Sequence, residues 1–191
     1  TLAAFARAGD RAGVPWLILT PPTHGRLLTD RMSAPMATLY EQEDEAQARI
    51  AATGHGVSMP EAFAADPDTM YYRTDHHWTL AGAYQAYLAL GDALSFAPKP
   101  LTDFRVTEYS GFQGTTLAGS GLPPLWSDTL VCAEPETSVR LTVLLHDGET
   151  LETCDRLIFP ERAVSPDGYG VYLRDNYGYL LIENEAAPEG T

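Results

Sequence analysis

The sequence predicts an α/β protein with a β-rich insertion or subdomain. Two observations predict this class. Near the N-terminus, a helical pattern is followed at once by a short apolar run bounded by prolines, which is typical of a strand buried on both faces. After Phe96, prolines and glycines punctuate runs that are typical of strands. We therefore predict an α/β part over residues 1–96 and a β-rich part over residues 97–191.

The bulk composition limits the domain count and the classes of partner. The chain has 191 residues, 45% of them apolar, which suffices for one compact core or for one domain with an insertion. Its formal charge of -14 would repel phosphate backbones and anionic headgroups. No apolar run approaches the roughly 20 residues that cross a bilayer. We expect no nucleic-acid partner and no direct membrane insertion.

The first elements alternate between helix and strand. "TLAAFARAGDRAG" indicates the end of an amphipathic helix that stops at Gly9 or Gly13, and "VPWLILTPP" indicates the buried strand after it. Apolar residues at helical intervals predict a second helix from Met36 to Ala52. "GHGVSM" then indicates the next short strand. This alternation is the first reason for the α/β prediction.

A loop and a third helix follow. "AFAADPDTM" is predicted as a loop from its Asp-Pro content. From Leu80 to Leu94, apolar residues recur at the spacing of one helix face, and Thr79 stands where an N-cap is expected. Asp75 and His77 therefore lie just before the N-terminus of this helix.

The β-rich part contains two hairpin signals. "SVRLTVLLHDGETLETCDRLIF" is predicted as a hairpin with Asp147 and Gly148 in its turn. "YGVYLRDNYGYLLIENE" resembles a second hairpin around Asp175 and Asn176. Cys132 and Cys154 are the only cysteines, and their spacing fits no metal-ligand or redox motif, so a disulfide and two separate thiols both remain open.

Ionisable side chains are concentrated in "YYRTDHHWTLAGAY", residues 71–84. A histidine becomes a general base when one ring nitrogen faces a nucleophile and a carboxylate holds the other. On a non-helical segment, an acid two residues before a histidine can turn onto that ring, and Asp75 and His77 have this spacing. His76 would face the opposite side, because neighbours on an extended segment alternate.

Two other interpretations of the motif stay open. Asp75 could simply cap the coming helix, with the histidines in a solvated loop. Alternatively Asp75, His76 and His77 could ligate a metal together with His55 or His146. The metal interpretation is weaker, because adjacent histidines seldom chelate one ion without backbone strain and the chain has no HExxH-like or paired-cysteine spacing.

"YYRTDHHWTLAGAYQAY" resembles the signature of the bacterial DHHW proteins, which belong with the SGNH (GDSL-like) hydrolases and are similar to alginate O-acetylation proteins. The resemblance extends upstream through "FARAGDRAGVPWLILTPPTHGRLL" and more loosely through the Gly-Phe-Gln-Gly and "YLRDNYGYLLIENE" regions. It implies a three-layer, flavodoxin-like SGNH body, incomplete in this chain. It also implies a Ser-His-Asp triad in which Asp75 orients the ring and His77 is the base.

Three residues around this pair are candidate substrate contacts. Arg73 could steady an anionic group or pair with Asp75, although an exposed loop arginine is commoner. Tyr72 could line a sugar-binding cleft with its flat apolar ring, or pack in the core. Trp78 could line the site or pack the motif loop into the core. No cofactor and no metal are expected for this chemistry.

The family's nucleophilic serine follows the motif in a context that this chain lacks. Either the natural protein continues past Thr191 or this member has lost the serine; we expect the first, and in both cases we expect the 191-residue chain to be inactive. Ser120, in "AGSGL", is the least poor substitute, yet a glycine-flanked serine is usually a turn residue.

The hypothesis is a fragment of an SGNH-like serine esterase or O-acyltransferase. We expect its substrate to be an acylated cell-surface glycan or a small ester, and the resemblance implies an extracytoplasmic location. The alternatives are a non-catalytic carbohydrate-binding or surface-assembly module and a metal-dependent hydrolase.

Overall fold

The computed structural model describes residues 2–13, 16–57, 59, 61–123, 125–135, 139–145, 150–154 and 178–184. The chain divides into two compact units. The first consists of Thr1–Tyr72 and His76–Pro98, and the second consists of Arg73–Asp75 and Lys99–Thr191. The predicted boundary between an α/β domain (residues 1–96) and a β-rich domain (residues 97–191) stays a prediction. The short segment Arg73–Asp75, which groups with the second unit, carries part of the sequence motif.

The first unit is mostly helical. Its helices and strands are α1 (Leu2–Ala12), β1 (Ile18–Leu19), α2 (His24–Leu27), α3 (Ala34–Ala37), α4 (Glu41–Ala51), β2 (Gly56–Val57), α5 (Ala62–Ala65), α6 (Pro67–Met70) and α7 (Leu80–Leu94). Strands β1 and β2 pair in parallel, with Ile18 opposite Gly56. Parallel strands joined through helices are the α/β arrangement, so the predicted fold class is confirmed.

Two of the local predictions need correction. The predicted helix from Met36 to Ala52 is interrupted, because the 3₁₀ turn Thr38–Tyr40 separates α3 from α4. The predicted loop before the motif instead contains the short helices α5 and α6. Asp66 caps α6 by accepting a hydrogen bond from the backbone N–H of Thr69 at 3.2 Å, and Pro67 occupies the first helical position, where its missing N–H is harmless.

The core of the first unit includes residues from both ends of the motif loop. Phe63, Met70 and Tyr71 are buried and form one hydrophobic cluster. Partly buried apolar residues from other elements of the unit pack against this cluster, among them Leu27 and Trp78. A side chain of this size contributes roughly 1.5–3 kcal/mol when it is fully buried. The motif loop is therefore attached to a packed core through Tyr71 and Trp78.

Helix α7 begins as the sequence predicts, at the cap Thr79. The Thr79 hydroxyl accepts a hydrogen bond from the Gly82 N–H at 3.3 Å and donates one to the Thr69 carbonyl at 2.7 Å. The helix ends at Leu94 and is followed by its C-cap Ser95, which adopts the left-handed conformation with a φ of 59°. Among the described residues, no helix combines the length and the apolar character needed to span a bilayer.

Thr79→Ala should lower the free energy of unfolding by about 1 kcal/mol, because it removes both the helix cap and the hydrogen bond to Thr69. Thr79→Ser keeps the hydroxyl and is the matched control. Urea unfolding followed by circular dichroism measures the difference. Equal stability of the two variants would mean that the cap contributes nothing.

The second unit is mostly antiparallel strands. Its elements are a 3₁₀ turn (Leu101–Asp103), β3 (Phe104–Phe112), α8 (Thr115–Ser120), β4 (Asp128–Pro135), β5 (Val139–Leu145), β6 (Thr150–Cys154) and β7 (Gly178–Asn184). Strands β3 and β4 pair with each other, and β6, β5 and β7 form a three-stranded sheet in that order. The register of β3 on β4 shifts between Ser110 and Phe112, at Gly111, whose φ is 84°. This bulge requires glycine or a strained residue.

The antiparallel pairing of β5 with β6, with Val143 opposite Glu152, confirms the first predicted hairpin, although its turn at Asp147 and Gly148 lies outside the described residues. Of the second predicted hairpin, only β7 is described, and it pairs with β5. Cys132 is buried on β4, and Cys154 is in β6, a strand of the other sheet.

Candidate active site

The motif lies in a loop whose ends are held together by backbone pairing. Tyr71 and Trp78 form an isolated antiparallel bridge, and the Tyr72 N–H donates to the His77 carbonyl at 3.2 Å. The Trp78 ring is tilted against Phe63, with 6.2 Å between the ring centroids. Trp78 thus takes the packing role that the sequence left open, and a contact with substrate stays a prediction.

Within the second unit, Thr74 is anchored by Asp128, the first residue of β4. The backbone N–H and the hydroxyl of Thr74 donate to Asp128 Oδ2 at 2.7 and 2.5 Å, and the Arg73 N–H donates to Oδ1 at 3.2 Å. Thr74 is only 3% exposed. A buried threonine with its donors on one carboxylate is held rigidly, because hydrogen bonds to a charged acceptor are the stronger ones.

Asp75 is held in the same unit by Thr115, the first residue of α8. Its Oδ2 accepts hydrogen bonds from the Thr115 N–H at 2.7 Å and from the Thr115 hydroxyl at 2.9 Å. Asp75 is 5% exposed. Asp75 is therefore built into the second unit and is not a solvated loop residue.

Gly114 leaves room for Asp75. A Cβ added to Gly114 would overlap the Asp75 Cβ, and would lie 2.6 Å from Oδ2 and 2.7 Å from the Asp75 Cα. Such distances are far inside van der Waals contact. The backbone at residue 114 therefore approaches Asp75 as closely as only glycine permits.

The two histidines of the motif are exposed. Their rings lie 4.0 Å apart between centroids. One ligand atom from each of the consecutive residues Asp75, His76 and His77 lies within 4.8 Å of the others, which is one donor short of a four-coordinate zinc site. The ring of His55, one of the two further donors that the sequence predicted, stacks on Trp16. The other predicted donor, His146, lies outside the described residues.

Arg73 and Tyr72 stand in contrasting environments. The exposed Arg73 guanidinium lies over the Trp126 ring, 5.1 Å from its centroid, in a cation–π contact. Trp126 is itself 42% exposed. Tyr72 is buried, which favours the packing role for its ring. Substrate binding by either residue stays a prediction.

The sequence interpretation missed Thr74, Gly114, Thr115 and Asp128 as parts of the motif's support. Thr115 is 40 positions from its partner Asp75, and Asp128 is 54 positions from its partner Thr74. Thr74 stands inside the motif, at a position to which the sequence assigned no role. The available signal was the Gly-Phe-Gln-Gly segment, whose last glycine is Gly114.

Ser120 takes the turn role expected of it. Its hydroxyl donates to the Leu117 carbonyl at 2.7 Å and accepts from the Leu122 N–H at 3.1 Å. Both interactions belong to the end of α8, where Gly121 follows in the left-handed conformation. The Ser120 hydroxyl therefore closes a helix end.

His24, which follows β1, is stacked on Tyr71. The ring centroids are 4.9 Å apart and the planes differ by 6°. His24 Nε2 is buried and has no hydrogen-bond partner among the described residues. Burial lowers the pKa of His24, with a smaller opposing effect from Asp68 and a further lowering by Arg31. Burial also raises the pKa of Tyr71, to about 12.

The lowered pKa of His24 makes stability depend on pH. The unfolded chain binds a proton at His24 near pH 6.5, whereas the folded chain resists it, so stability falls as the pH drops from about 7 to about 5. His24→Phe keeps a ring on Tyr71 but cannot be protonated, and should lose less stability over this range. Urea unfolding at several pH values measures this. Identical pH dependence in both proteins would contradict it.

The first unit also contains a cavity of about 590 Å³ beside Thr20, the residue after β1. Its polar lining groups are largely engaged with one another. Arg26 forms a two-point ion pair with Asp44 at 2.7 and 2.9 Å, which raises the pKa of Arg26. The motif residues do not line this cavity. We place no part of the candidate site there.

Comparison with known proteins supplies the family. The model of the SGNH hydrolase-like domain of the acetyltransferase AlgX matches residues 1–122. A DHHW family protein from Eubacterium siraeum has a similar fold, with a TM-score of 0.73 and 20% identity over 96% of this chain. PatB1 from Bacillus cereus gives a TM-score of 0.71 and 19% identity over 97% of this chain. None of the curated proteins compared with the chain matches it.

The structure of PatB1 with a sulfonyl adduct is equally similar, at a TM-score of 0.71 and 19% identity. This chain spans 63% of the length of the DHHW protein and 67% of that of PatB1. The matches to the AlgX domain and to the DHHW fold confirm the resemblance that the sequence motif indicated.

Proposed function

The chain belongs to the SGNH hydrolase-like family of the acetyltransferase AlgX, and on that premise we propose that it is part of a serine esterase or O-acetyltransferase acting on acylated cell-surface carbohydrate. Because the chain spans 63% of the DHHW protein's length, this activity is proposed for the whole protein. An extracytoplasmic location is part of the proposal, since such a substrate lies outside the cytoplasm.

The observation that carries the proposal is the contrast between Asp75 and His77. Asp75 is buried and its carboxylate is fixed by Thr115, whereas His77 is exposed two residues later. A triad needs a fixed carboxylate that orients the imidazole and an imidazole that a nucleophile can reach. A helix-capping loop residue would not require the buried anchoring that Asp75 has.

In the proposed mechanism, His77 accepts the proton of a serine hydroxyl as the serine oxygen attacks the ester carbonyl. The Asp75 carboxylate stabilises the resulting imidazolium. The protonated His77 then donates its proton to the departing alcohol, which leaves an acyl-enzyme. Water or a sugar hydroxyl then attacks the acyl carbon and gives its proton to His77. The bond to the serine oxygen breaks, His77 returns the proton to that oxygen, and acetate or the acylated sugar is released. We assign the serine to none of the described side chains, and Ser120 is engaged in its helix end.

We propose that two exposed side chains of the second unit bind the substrate. Trp126 would offer its aromatic face, and the Arg73 guanidinium beside that ring would supply a positive charge. Tyr72 and Trp78 are proposed as substrate contacts from the sequence motif. The acetyl group is proposed by analogy with the acetyltransferase that names the family.

The test is to express the protein at the full length that its gene encodes and to measure acetate release from an acetylated ester. A sulfonyl fluoride, followed by peptide mass spectrometry, should block this release and label one serine. We expect both results. Absence of acetate release and of labelling, combined with binding to a polysaccharide, would favour the non-catalytic carbohydrate-binding alternative.

The metal-dependent alternative makes a different prediction for the same protein. It requires a bound transition metal by elemental analysis and loss of acetate release in a chelator, because a metal-bound water would be the nucleophile. Our proposal predicts activity that survives the chelator. Loss of activity that returns with added metal would replace the serine mechanism.

A further inference from the structure

We propose that Asp128 is a positioning residue that acts through Thr74 to hold the Asp75 carboxylate in place. The expected effect of Asp128 on catalysis rests on the proposed function, whereas its effect on the position of Asp75 does not. Asp128 is 53 positions after Asp75 in the sequence and has no role in the motif itself. The structure nevertheless makes it the acceptor for the residues that precede Asp75.

Asp128 accepts three hydrogen bonds from the two residues before Asp75. The Thr74 N–H and hydroxyl share Oδ2, and the Arg73 N–H takes Oδ1. Both oxygens of the carboxylate are therefore used by one short segment. A carboxylate has about four lone-pair sites for such donors, whereas an amide has only one acceptor oxygen. The arrangement matches aspartate and not asparagine.

Thr74 transmits this anchoring because its polar groups are all engaged within the second unit. Its hydroxyl also accepts from the Gly114 N–H at 3.0 Å, and its carbonyl accepts from the Leu117 N–H at 3.0 Å. Thr74 thus joins the start of β4 to the backbone at the start of α8. Asp75, the next residue, accepts from Thr115 in that same segment.

Asp75 is therefore fixed on both sides. Its backbone follows the anchored Thr74, and its carboxylate is held by Thr115. Loss of the Asp128 carboxylate should release Thr74 and let Asp75 shift relative to Thr115. A displacement of about 1 Å in a catalytic group can lower a rate by about 100-fold. The expected effect of Asp128→Asn is on kcat, because Asp128 contacts no substrate in the proposed mechanism.

The first measurement needs no enzymatic activity. Hydrogen exchange by NMR reports the Thr115 N–H, which is bonded to Asp75 and not to Asp128. In Asp128→Asn the exchange rate of this amide should rise about tenfold, which corresponds to the loss of roughly one hydrogen bond that protects it. The amides of the β3–β4 ladder should keep their exchange rates. Unchanged exchange at Thr115 in the folded variant would overturn the proposal.

A second pair of variants tests the proposal if the Asp128→Asn protein does not fold. Thr74→Val keeps the side-chain shape but removes the hydroxyl that donates to Asp128 and accepts from the Gly114 N–H, and Thr74→Ser keeps both bonds. Thr115 exchange should accelerate in the valine variant and return toward the wild-type rate in the serine variant. Equal exchange in both would also overturn the proposal.

The enzymatic measurement separates this proposal from the proposed function. In the full-length protein, Asp128→Asn should lower kcat for an acetyl ester about 10- to 100-fold with little change in KM. Asp103→Asn, which removes one exposed charge from the same unit, is the control. If Asp75→Asn abolishes activity while Asp128→Asn leaves kcat unchanged, the positioning role fails and the function stands. If the wild type is inactive, the function fails and Thr115 exchange decides.

Discussion

Replacing His77 with alanine is expected to lower kcat/KM for an acetyl ester roughly 10⁶-fold in the full-length protein, because the serine loses the group that takes its proton. The loss should be in kcat, since the imidazole acts on the reacting atoms. His77 is exposed, so its free energy of unfolding should change by no more than about 0.5 kcal/mol. Steady-state kinetics and urea unfolding on the same preparation separate the two effects.

Asp75→Asn should lower kcat less, by roughly 10⁴-fold. The amide keeps one oxygen that can accept from Thr115 but presents an N–H₂ group in place of the other oxygen, which favours the wrong imidazole tautomer. His76→Ala is the matched control, because His76 is equally exposed and has no proposed role. It should keep its activity within about a factor of three. Full activity of His77→Ala or of Asp75→Asn would remove the catalytic assignment.

Gly114→Ala is expected to lower the free energy of unfolding by about 1–3 kcal/mol, because the added methyl group overlaps the Asp75 side chain and lies 2.7 Å from its Cα. These are backbone and buried atoms that cannot swing aside like the end of a flexible side chain. Asp75 must therefore move, and acetyl-ester cleavage should fall about tenfold or more. Urea unfolding and kinetics measure the two consequences.

Gly119→Ala supplies the control within the same helix. No heavy atom lies within 4 Å of a Cβ added at Gly119, and alanine favours a helix by up to about 1 kcal/mol over glycine. This variant should be as stable as the wild type or slightly more stable. If the two alanine variants had the same free energy of unfolding, the close contact between residue 114 and Asp75 would not affect stability.

The local parts of the fold were predictable from the sequence. Thr79 caps α7 because a hydroxyl before an apolar helical pattern can reach the third amide of the helix, which is a local signal. The Asp66-Pro67 pair misled the interpretation for an equally local reason. This pair occurs in turns, but it also starts helices, as it does at α6.

The long-range parts could not be predicted from one sequence. The bond between Thr74 and Asp128 joins residues 54 positions apart, and hydrophobic periodicity says nothing about such pairs. Asp75 and His77 could be singled out because their spacing suits an acid and a base. The depth at which Asp75 is buried, and the partner that holds it, depend on how β3 leads into α8.

The close approach of the backbone at residue 114 to Asp75 also constrains how relatives can diverge. A lineage that keeps the aspartate of the motif must keep glycine at this distant position, since any larger residue would occupy the same space. The two positions should therefore vary together across an alignment. A relative with a bulky residue at the glycine position is expected to have lost the acid as well, which would distinguish descendants without the chemistry from active enzymes.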